Sequence, residues 1–447
     1  MEWPIFQMPF IGNRMLIAII GTIHVSISHG MAVGGSFFIV LLHYISIRTD
    51  NQRLNELVFK VLGIFFIITT SVGALTGVGI WLSTATVSPG TIGSLLHIFF
   101  WAWFTEWIVF VSEVILIMFY YLGWDKYGSK TGFKIGVVYV AASWLTMMLI
   151  TGILGAMLTP GQWLATKSFW SGFFNPTYVP QLMTRTFIAV LLSIAFGLFI
   201  TRLHKDYRDQ WPEVWKFAGK SLLIASPLFL LFVLSYYNSL PLQISHLTST
   251  ALMTMKYATW AYLSKIFYIS IVILMMIFGL ILLTKKKDYV LLSFIPAFLM
   301  VFAMGNMERV REFIRKPYTI HQYLYSNALR EDEAPFLNKT GVSAHLGWAE
   351  RSAKETDPQL RLGEKIFKLE CSTCHTYSGI NGITKKTNIL QNPELNENFL
   401  KTYKRSHPFM PPFIGTDAER TALALYLDKI VKEANGKTNV QPSEGNK

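Results

Sequence analysis

Apolar stretches of 18 or more residues alternate with short polar loops along the chain, from Arg14 to about Met307. Each stretch is long enough to cross a hydrocarbon core of about 30 Å as a helix. The pattern predicts an all-α fold, a polytopic transmembrane bundle of about eight helices. The predicted spans are 14–46, 55–82, 92–122, 133–158, 179–201, 217–237, 257–284 and 289–307.

The pattern changes after the last of these spans. Residues 357–433 have the amphipathic spacing of a small soluble helical domain, with one helix over Leu360–Leu369 and another over Asp417–Val431. We therefore divide the chain into a membrane domain, a linker, a soluble domain and a tail rich in Asn, Ser, Gly and Lys that we expect to be disordered. Their predicted ranges are 1–325, 326–356, 357–433 and 434–447.

Lysine and arginine positions predict the orientation. They concentrate in the loops after the first, third, fifth and seventh predicted helices, whereas the loops 83–91, 159–178 and 238–256 hold only Lys167 and Lys256. The positive-inside rule then places both termini and the soluble domain on the outer face. Residues 1–13 lack a basic segment and a small-residue cleavage site, so we interpret them as an interfacial lead-in and not a cleaved signal peptide.

Composition agrees with a membrane protein. Hydrophobic residues make up 52% of the chain and charged residues only 15%, against about 25% charged residues in soluble domains. The formal net charge of +13 is explained by cytoplasmic loops beside anionic lipid and by the outer segments. With no glycine-rich phosphate loop or C2H2 pattern, we expect no nucleic-acid partner.

Both cysteines of the chain fall in one string, Cys371-Ser372-Thr373-Cys374-His375. A C-x-x-C-H string is the attachment signal for c-type haem, because two thiols add to the haem vinyl groups while the adjacent imidazole is placed to bind iron. The alternative is a disulfide between the two cysteines. The string predicts a covalent haem c with His375 as an iron ligand.

A methionine in a proline-rich loop, Met410, follows downstream in Ser406-His407-Pro408-Phe409-Met410-Pro411-Pro412. A thioether there suits the sixth iron position, and His/Met ligation raises the reduction potential of a haem. The alternatives are that Met410 only packs, with His407 or water as the ligand. The soluble domain resembles the class I cytochrome c family.

Ionisable side chains inside a bilayer are costly and therefore functional candidates. His24 lies about ten residues into the first predicted helix, and Glu106 and Glu113 lie seven residues apart, on nearly one face of the third. Imidazole and carboxylate groups are candidate haem ligands, and buried carboxylates are also needed for proton transfer. A hydrogen-bonded structural role is the alternative for all three.

These residues carry a resemblance to the large subunit of the cytochrome bd oxidases. The first helix is similar through Arg14 and His24, and the third through Glu113 and the segment Leu122-Gly123-Trp124-Asp125-Lys126. After the eighth helix, Glu312-Phe313-Ile314-Arg315-Lys316-Pro317-Tyr318 resembles the family's Glu-x-x-Arg-Gln-Pro-Trp signature. The alternative for Glu312 is a surface charge of an amphipathic helix.

The resemblance implies a bd-like fold in a bacterial inner membrane and non-covalent haem b, haem d or both. It places His24 at the family's first-helix haem ligand, Glu312 at the ligand of high-spin haem b, and Glu113 on the cytoplasmic proton path. Arg14 and Arg315 belong to the matched cofactor-binding motifs. It also implies a subunit II-like membrane partner and oxygen as the acceptor.

The chain departs from the family at the electron entrance. Where the family has the histidine and methionine ligands of low-spin haem b, this chain has Arg185 and Phe267, and the long quinol-binding loop is reduced to about 238–256. The family's second third-helix glutamate aligns with Thr105, one residue from Glu106. Where the family continues into a ninth helix, this chain continues into the haem c domain.

Together these features predict a terminal oxidase in which haem c, reduced by a periplasmic cytochrome c or other redox protein, supplies high-spin haem in the bundle. Oxygen would be reduced to water there. One alternative is an electron-transfer subunit of a larger respiratory complex, in which the bundle is a scaffold and relay. Another is a nitric oxide reductase.

Overall fold

The structure, a computed structural model, describes residues 4–253, 261–284, 291–345, 347–380, 382–386 and 392–438. It is helical apart from one short antiparallel hairpin in the described residues, formed by β1 (Tyr318–Ile320) and β2 (Leu324–Tyr325). The all-α membrane fold expected from the apolar pattern is confirmed.

The apolar part of the chain consists of long helices joined by short segments, some of which are themselves helical. The α-helices up to the hairpin are α1 (Asn13–Ile27), α2 (Gly34–Arg48), α3 (Gln52–Ile68), α4 (Ala74–Val87), α5 (Pro89–Ile98), α6 (Phe100–Leu122), α7 (Trp124–Leu158), α8 (Trp163–Thr166), α9 (Phe169–Phe173), α10 (Tyr178–Leu203), α11 (Trp211–Asn238), α12 (Leu242–Met253), α13 (Ala261–Thr284) and α14 (Leu291–Ile314).

Six helical spans in the described residues are long and apolar enough to cross a membrane. The first two join α1 to α2 and α3 to α4 through the π-helical segments Ser28–Val33 and Thr69–Gly73, and the others contain α6, α7, α10 and α11. The seventh and eighth predicted spans correspond to α13 and α14. The third predicted span, 92–122, is divided at Phe99, where the backbone (φ −111°, ψ 31°) leaves the helical region and separates α5 from α6.

The eighth helix is longer than predicted. We expected it to end at 307, but α14 continues to Ile314. The prediction was wrong because it ended the helix at the first charged residue, Glu308. In the structure Arg185 of α10 and Arg311 of α14 both pair with Glu308, which compensates the cost of burying its carboxylate.

The chain forms two compact units. One consists of residues 20–78 and 98–314, and the other of residues 1–19, 79–97 and 315–447. In the first unit, α2, α3, α10, α11, α13 and α14 share one large apolar core. Gly34 allows the closest approach there, since a Cβ at that position would lie 2.0 Å from the carbonyl oxygen of Ala189 in α10.

The second unit contains the hairpin and the predicted soluble domain. Its helices after the hairpin are α15 (Ala334–Thr340), α16 (Gly347–Ser352), α17 (Pro358–Ile366), α18 (Ile383–Lys386), α19 (Pro393–Ser406) and α20 (Asp417–Thr438).

The two predicted amphipathic helices of the soluble domain are present as α17 and α20, and they cross closely. A Cβ on Gly363 of α17 would lie 2.1 Å from the carbonyl oxygen of Ala422 in α20. Phe367 and Tyr426 are buried beside this crossing. Helix α20 extends to Thr438, so residues 434–438 of the segment expected to be disordered are helical. The remainder of that segment, 439–447, lies outside the described residues.

Candidate functional site

The C-x-x-C-H string forms a compact turn directly after α17. The chain continues from α17 through a π-helical segment, Phe367–Cys371, and the backbone N–H groups of Cys374 and His375 both donate to the carbonyl oxygen of Cys371, at 3.0 and 2.8 Å. Neither cysteine is in a disulfide, and both are half-buried. The disulfide alternative is therefore absent from the structure, and the turn presents two thiols and an imidazole together.

The N-terminal residues pack on this turn. Asn13 is fully buried, and its side-chain amide donates to the carbonyl oxygen of Ser372 at 3.0 Å and to that of Phe6 at 2.8 Å. The Arg14 guanidinium donates to the Sγ atom of Cys374 and, at 3.3 Å, to Ser326. Arg14, predicted from the family resemblance to bind a cofactor, thus lies against the C-x-x-C-H turn.

The proline-rich loop that carries Met410 is fixed from α19. The Tyr403 hydroxyl donates to the carbonyl oxygen of Pro411, and the Met410 N–H donates to that of His407 at 2.9 Å. The Met410 side chain is half-buried. His407 stacks edge-on against Phe399 and Phe409, with ring centroids 5.6 and 5.8 Å away. These contacts hold Met410 in a defined loop and leave both candidate sixth ligands, Met410 and His407, in place.

The turn lies in an apolar environment. Burial, and secondarily the neighbouring Glu370, raises the pKa of the Cys371 thiol well above its usual range. Burial also raises the pKa of Glu370, against the effect of a hydrogen bond that its carboxyl accepts from the Ile414 N–H at 3.2 Å. Burial thus favours the neutral form of both groups.

His24 has the hydrogen bonding of a metal-binding imidazole. Its Nδ1 atom lies 3.2 Å from the carbonyl oxygen of Gly73 and 3.2 Å from the Thr76 hydroxyl. Since a carbonyl only accepts, Nδ1 carries the proton and Nε2 carries the lone pair, the arrangement typical of iron- and zinc-bound histidines. Gly77 provides the space beside the ring, because a Cβ there would lie 3.1 Å from the His24 Cε1 atom.

Glu113 is buried between α6 and α7. The hydroxyls of Ser143 and Thr146 donate to its two carboxyl oxygens at 2.7 and 3.2 Å. Glu106, two turns earlier on α6, is half-buried. Glu113 thus accepts hydrogen bonds from two hydroxyl groups of α7.

The last predicted site residues lie at the end of α14 and after it. Glu312 is half-buried near the end of α14, where its charge acts on Arg311. Arg315 is buried, and its guanidinium donates to the carbonyl oxygen of Thr319 at 2.8 Å, which ties it to β1. Phe267 lies in α13, and its side chain is outside the described residues. In the described residues, no three His, Cys, Asp or Glu side chains form a site for a bare metal ion.

Arg185 belongs to a buried ionic cluster that the sequence did not reveal. One guanidinium nitrogen donates to the Nε2 atom of His29 at 3.0 Å, and another donates to Glu308 at 2.6 Å. Glu308 also accepts from the Nε atom of Arg311 at 2.9 Å. Because arginine cannot accept hydrogen bonds, the Nε2 lone pair of His29 is engaged by Arg185. The nearest sequence signal was the occurrence of His29 five residues after His24 in an apolar stretch.

Three π-helical segments occur beside the candidate residues. They are Ser28–Val33, which holds His29; Thr69–Gly73, whose last carbonyl binds His24; and Phe367–Cys371, which leads into the C-x-x-C-H turn. Such segments are frequent at functional sites. They interrupt the regular hydrogen-bond pattern of the helix and reorient its side chains.

The structure was compared with known proteins. No family model and no curated protein matches the chain. Among solved structures it is similar to a bd oxidase from Geobacillus thermodenitrificans, with a TM-score of 0.57 and 16% sequence identity over 71% of this chain and 91% of that chain. At this identity the likeness is one of fold. The chain is an integral membrane protein with a helical bundle of the bd-oxidase type.

Proposed function

We propose that the chain is a membrane-bound haem oxidoreductase that takes electrons through a covalent haem c and delivers them to non-covalent haem in the bd-like bundle. The observation that carries the proposal is the C-x-x-C-H turn. Two free thiols and His375 are presented together beside apolar groups, on a chain with the fold of a bd oxidase. A c-type haem bound there supplies one-electron transfer.

The residues around the turn fit such a group. Cys371 and Cys374 would provide the thioether links and His375 one axial ligand, with Met410 or His407 on the loop held by Tyr403. Arg14 places a positive charge at Cys374. A positive charge near a haem favours its reduced form, so Arg14 would raise the reduction potential of the electron acceptor.

Within the bundle, His24 and Glu312 would hold haem b or haem d. The fit is best for His24, whose Nδ1 proton is directed to Gly73 and leaves Nε2 for iron. Glu113 would pass protons from the cytoplasmic side toward the haem, with Ser143 and Thr146 orienting its carboxyl. Glu106, two turns away on the same helix, is a second candidate on this route.

The electron donor would be a periplasmic cytochrome c or another redox protein, because the chain has only a short segment where the bd family has its quinol loop. Oxygen is the proposed acceptor, and a subunit II-like membrane protein the proposed partner, in a bacterial inner membrane with the haem c domain outside. Arg185, held by Glu308 and His29, leaves no ligand for low-spin haem b at its position.

The same ionic cluster favours one alternative, an electron-transfer subunit without oxygen chemistry of its own. If the bundle serves only as a scaffold, it needs no haem ligands. Arg185 would then stand at one of several positions where a haem ligand has been lost. Oxygen consumption separates the two functions.

Pyridine haemochrome spectra of the purified protein, recorded beside its oxygen consumption with a reduced cytochrome c, test the proposal. We expect one covalent haem c, at least one non-covalent haem, and oxygen uptake. Haem c without any non-covalent haem would support the scaffold alternative, and absence of haem c would refute both.

A further inference from the structure

The ionic cluster around Arg185 borders a small cavity inside the first compact unit. The cavity is lined by Gln181, Thr184, Arg185, Tyr236, Glu308 and Arg311 together with two methionine side chains. Its volume is about 20 Å³, enough for about one water-sized particle. It is far too small for a haem or a quinone, so any occupant is a water molecule or a small ion.

Four polar atoms of its lining residues are buried without a hydrogen-bond partner. They are Arg185 Nε, Arg311 Nη1, the Tyr236 hydroxyl oxygen and Gln181 Oε1. Buried polar groups are normally paired, and each exception calls for an explanation. Here all four belong to one cavity, so a single occupant explains them together.

The open donors favour an anion. The residues that line the cavity carry two guanidinium groups and one carboxylate, and the carboxyl oxygens of Glu308 are already used by Arg185 and Arg311. Glu312 does not line the cavity, and its carboxylate also acts on Arg311. The two arginine N–H groups and the Tyr236 O–H are donors, and the Gln181 amide becomes one by a half-turn of its end group.

We propose that this cavity binds one small monovalent anion of halide size, held by Arg185, Arg311 and Tyr236. The anion satisfies the open donors of the cluster. Its binding does not depend on the haem c proposal.

Bromide tests the site in the purified full-length protein with whatever subunit accompanies it. Thermal unfolding is followed as bromide replaces gluconate at constant ionic strength, since a ligand that binds only the folded state raises the melting temperature. Crystals soaked in bromide then locate the ion by its anomalous signal. We expect a saturable rise in melting temperature and an anomalous peak in the cavity.

Two variants identify the donors. Tyr236→Phe removes one open donor and nothing else, and the half-saturating bromide concentration should rise about tenfold, as expected for the loss of one hydrogen bond to a charged group. Tyr237→Phe on the same helix is the matched control, because Tyr237 does not line the cavity, and it should bind bromide as the wild type does. If Tyr236→Phe does not fold, Gln181→Met takes its place with the same expectation.

Three outcomes overturn the proposal. One is a melting temperature independent of bromide with an ordered water in the cavity. Another is an anomalous peak at a different place only. The third is unchanged bromide affinity in Tyr236→Phe or, where that variant does not fold, in Gln181→Met.

Discussion

At the scale of single residues, the ionisable groups inside the bundle are stabilised by specific neighbours. Glu113 accepts two hydroxyl hydrogen bonds, His24 donates to a carbonyl, and Arg185 pairs with Glu308. Each arrangement compensates part of the cost of removing a polar group from water. The neighbours also determine which imidazole could bind a metal. They leave the Nε2 lone pair of His24 open, whereas that of His29 accepts a hydrogen bond.

Replacing Glu113 tests its role as a proton relay. Glu113→Gln keeps the shape and the hydrogen bonds to Ser143 and Thr146 but removes the exchangeable acid. We expect oxygen consumption to fall by about 100-fold or more while the haem content stays near that of the wild type. The neighbouring Ser112→Ala, whose hydroxyl bonds only the backbone of its own helix, is the control. Loss of haem in Glu113→Gln would instead make Glu113 a ligand or a structural anchor.

The ion pair between Arg185 and Glu308 should matter for stability. Arg185→Gln leaves the Glu308 carboxylate, only 18% exposed, without one of the two paired arginines described above, and breaking a buried pair typically costs about 3–5 kcal/mol. We expect a clearly lower thermal unfolding temperature. Arg53→Gln, which breaks the exposed pair with Asp209, should leave the temperature nearly unchanged. Equal effects of the two substitutions would contradict the account of the cluster.

At the scale of elements, the predicted soluble domain is built on the crossing of α17 and α20 and on the segment that precedes α17. Glu364 of α17 is buried, and its carboxyl accepts from the backbone N–H groups of Lys354 and Glu355 at 2.7 and 2.9 Å and from Lys368 at 2.7 Å. One side chain thus fixes the end of the linker to the helix that leads into the C-x-x-C-H turn.

These contacts make the stability of the domain depend on pH. Burial acts to raise the pKa of Glu364, but the hydrogen bonds from Lys368 and from the two backbone N–H groups outweigh it and hold the pKa below its usual value. A carboxyl with a lowered folded-state pKa stabilises the fold above its unfolded pKa of about 4.3. This contribution is lost as the pH falls through the folded-state value.

Glu364→Gln should therefore destabilise the domain at pH 7, by about 1–3 kcal/mol, and the difference from the wild type should shrink below about pH 4. Urea unfolding followed by the absorbance of the proposed haem c measures it. Glu394→Gln, at an exposed position of α19, is the control with little effect. A difference that grows toward acid pH would contradict the assignment.

At the scale of the whole molecule, the local signals predicted the architecture well. Long apolar stretches predict membrane helices because length and hydropathy are properties of one segment. The bd-like fold was implied by the resemblance of the segments around His24, Glu113 and Glu312, and the similarity of the structure to a bd oxidase, at 16% identity, supports it. The C-x-x-C-H string and the amphipathic helices of the soluble domain can likewise be recognised within single segments of the sequence.

Long-range pairing could not be predicted in this way. Arg185 and Glu308 are 123 residues apart, and nothing in the segment around either residue indicates the other. The same holds for the packing of Asn13 and Arg14 on the turn at Ser372 and Cys374, since the N-terminal segment reads only as an interfacial lead-in. The cavity beside Tyr236 depends on three helices and has no sequence signal at all.

The central claim is that electrons enter through haem c and pass to a non-covalent haem in the bundle. Stopped-flow absorbance with a reduced cytochrome c tests it most directly, in the wild type and in the double variant Cys371→Ala/Cys374→Ala. We predict that haem c is reduced first and the non-covalent haem next, and that the variant loses fast reduction of the latter. Fast reduction of the non-covalent haem by a quinol, unchanged in the variant, would contradict the account.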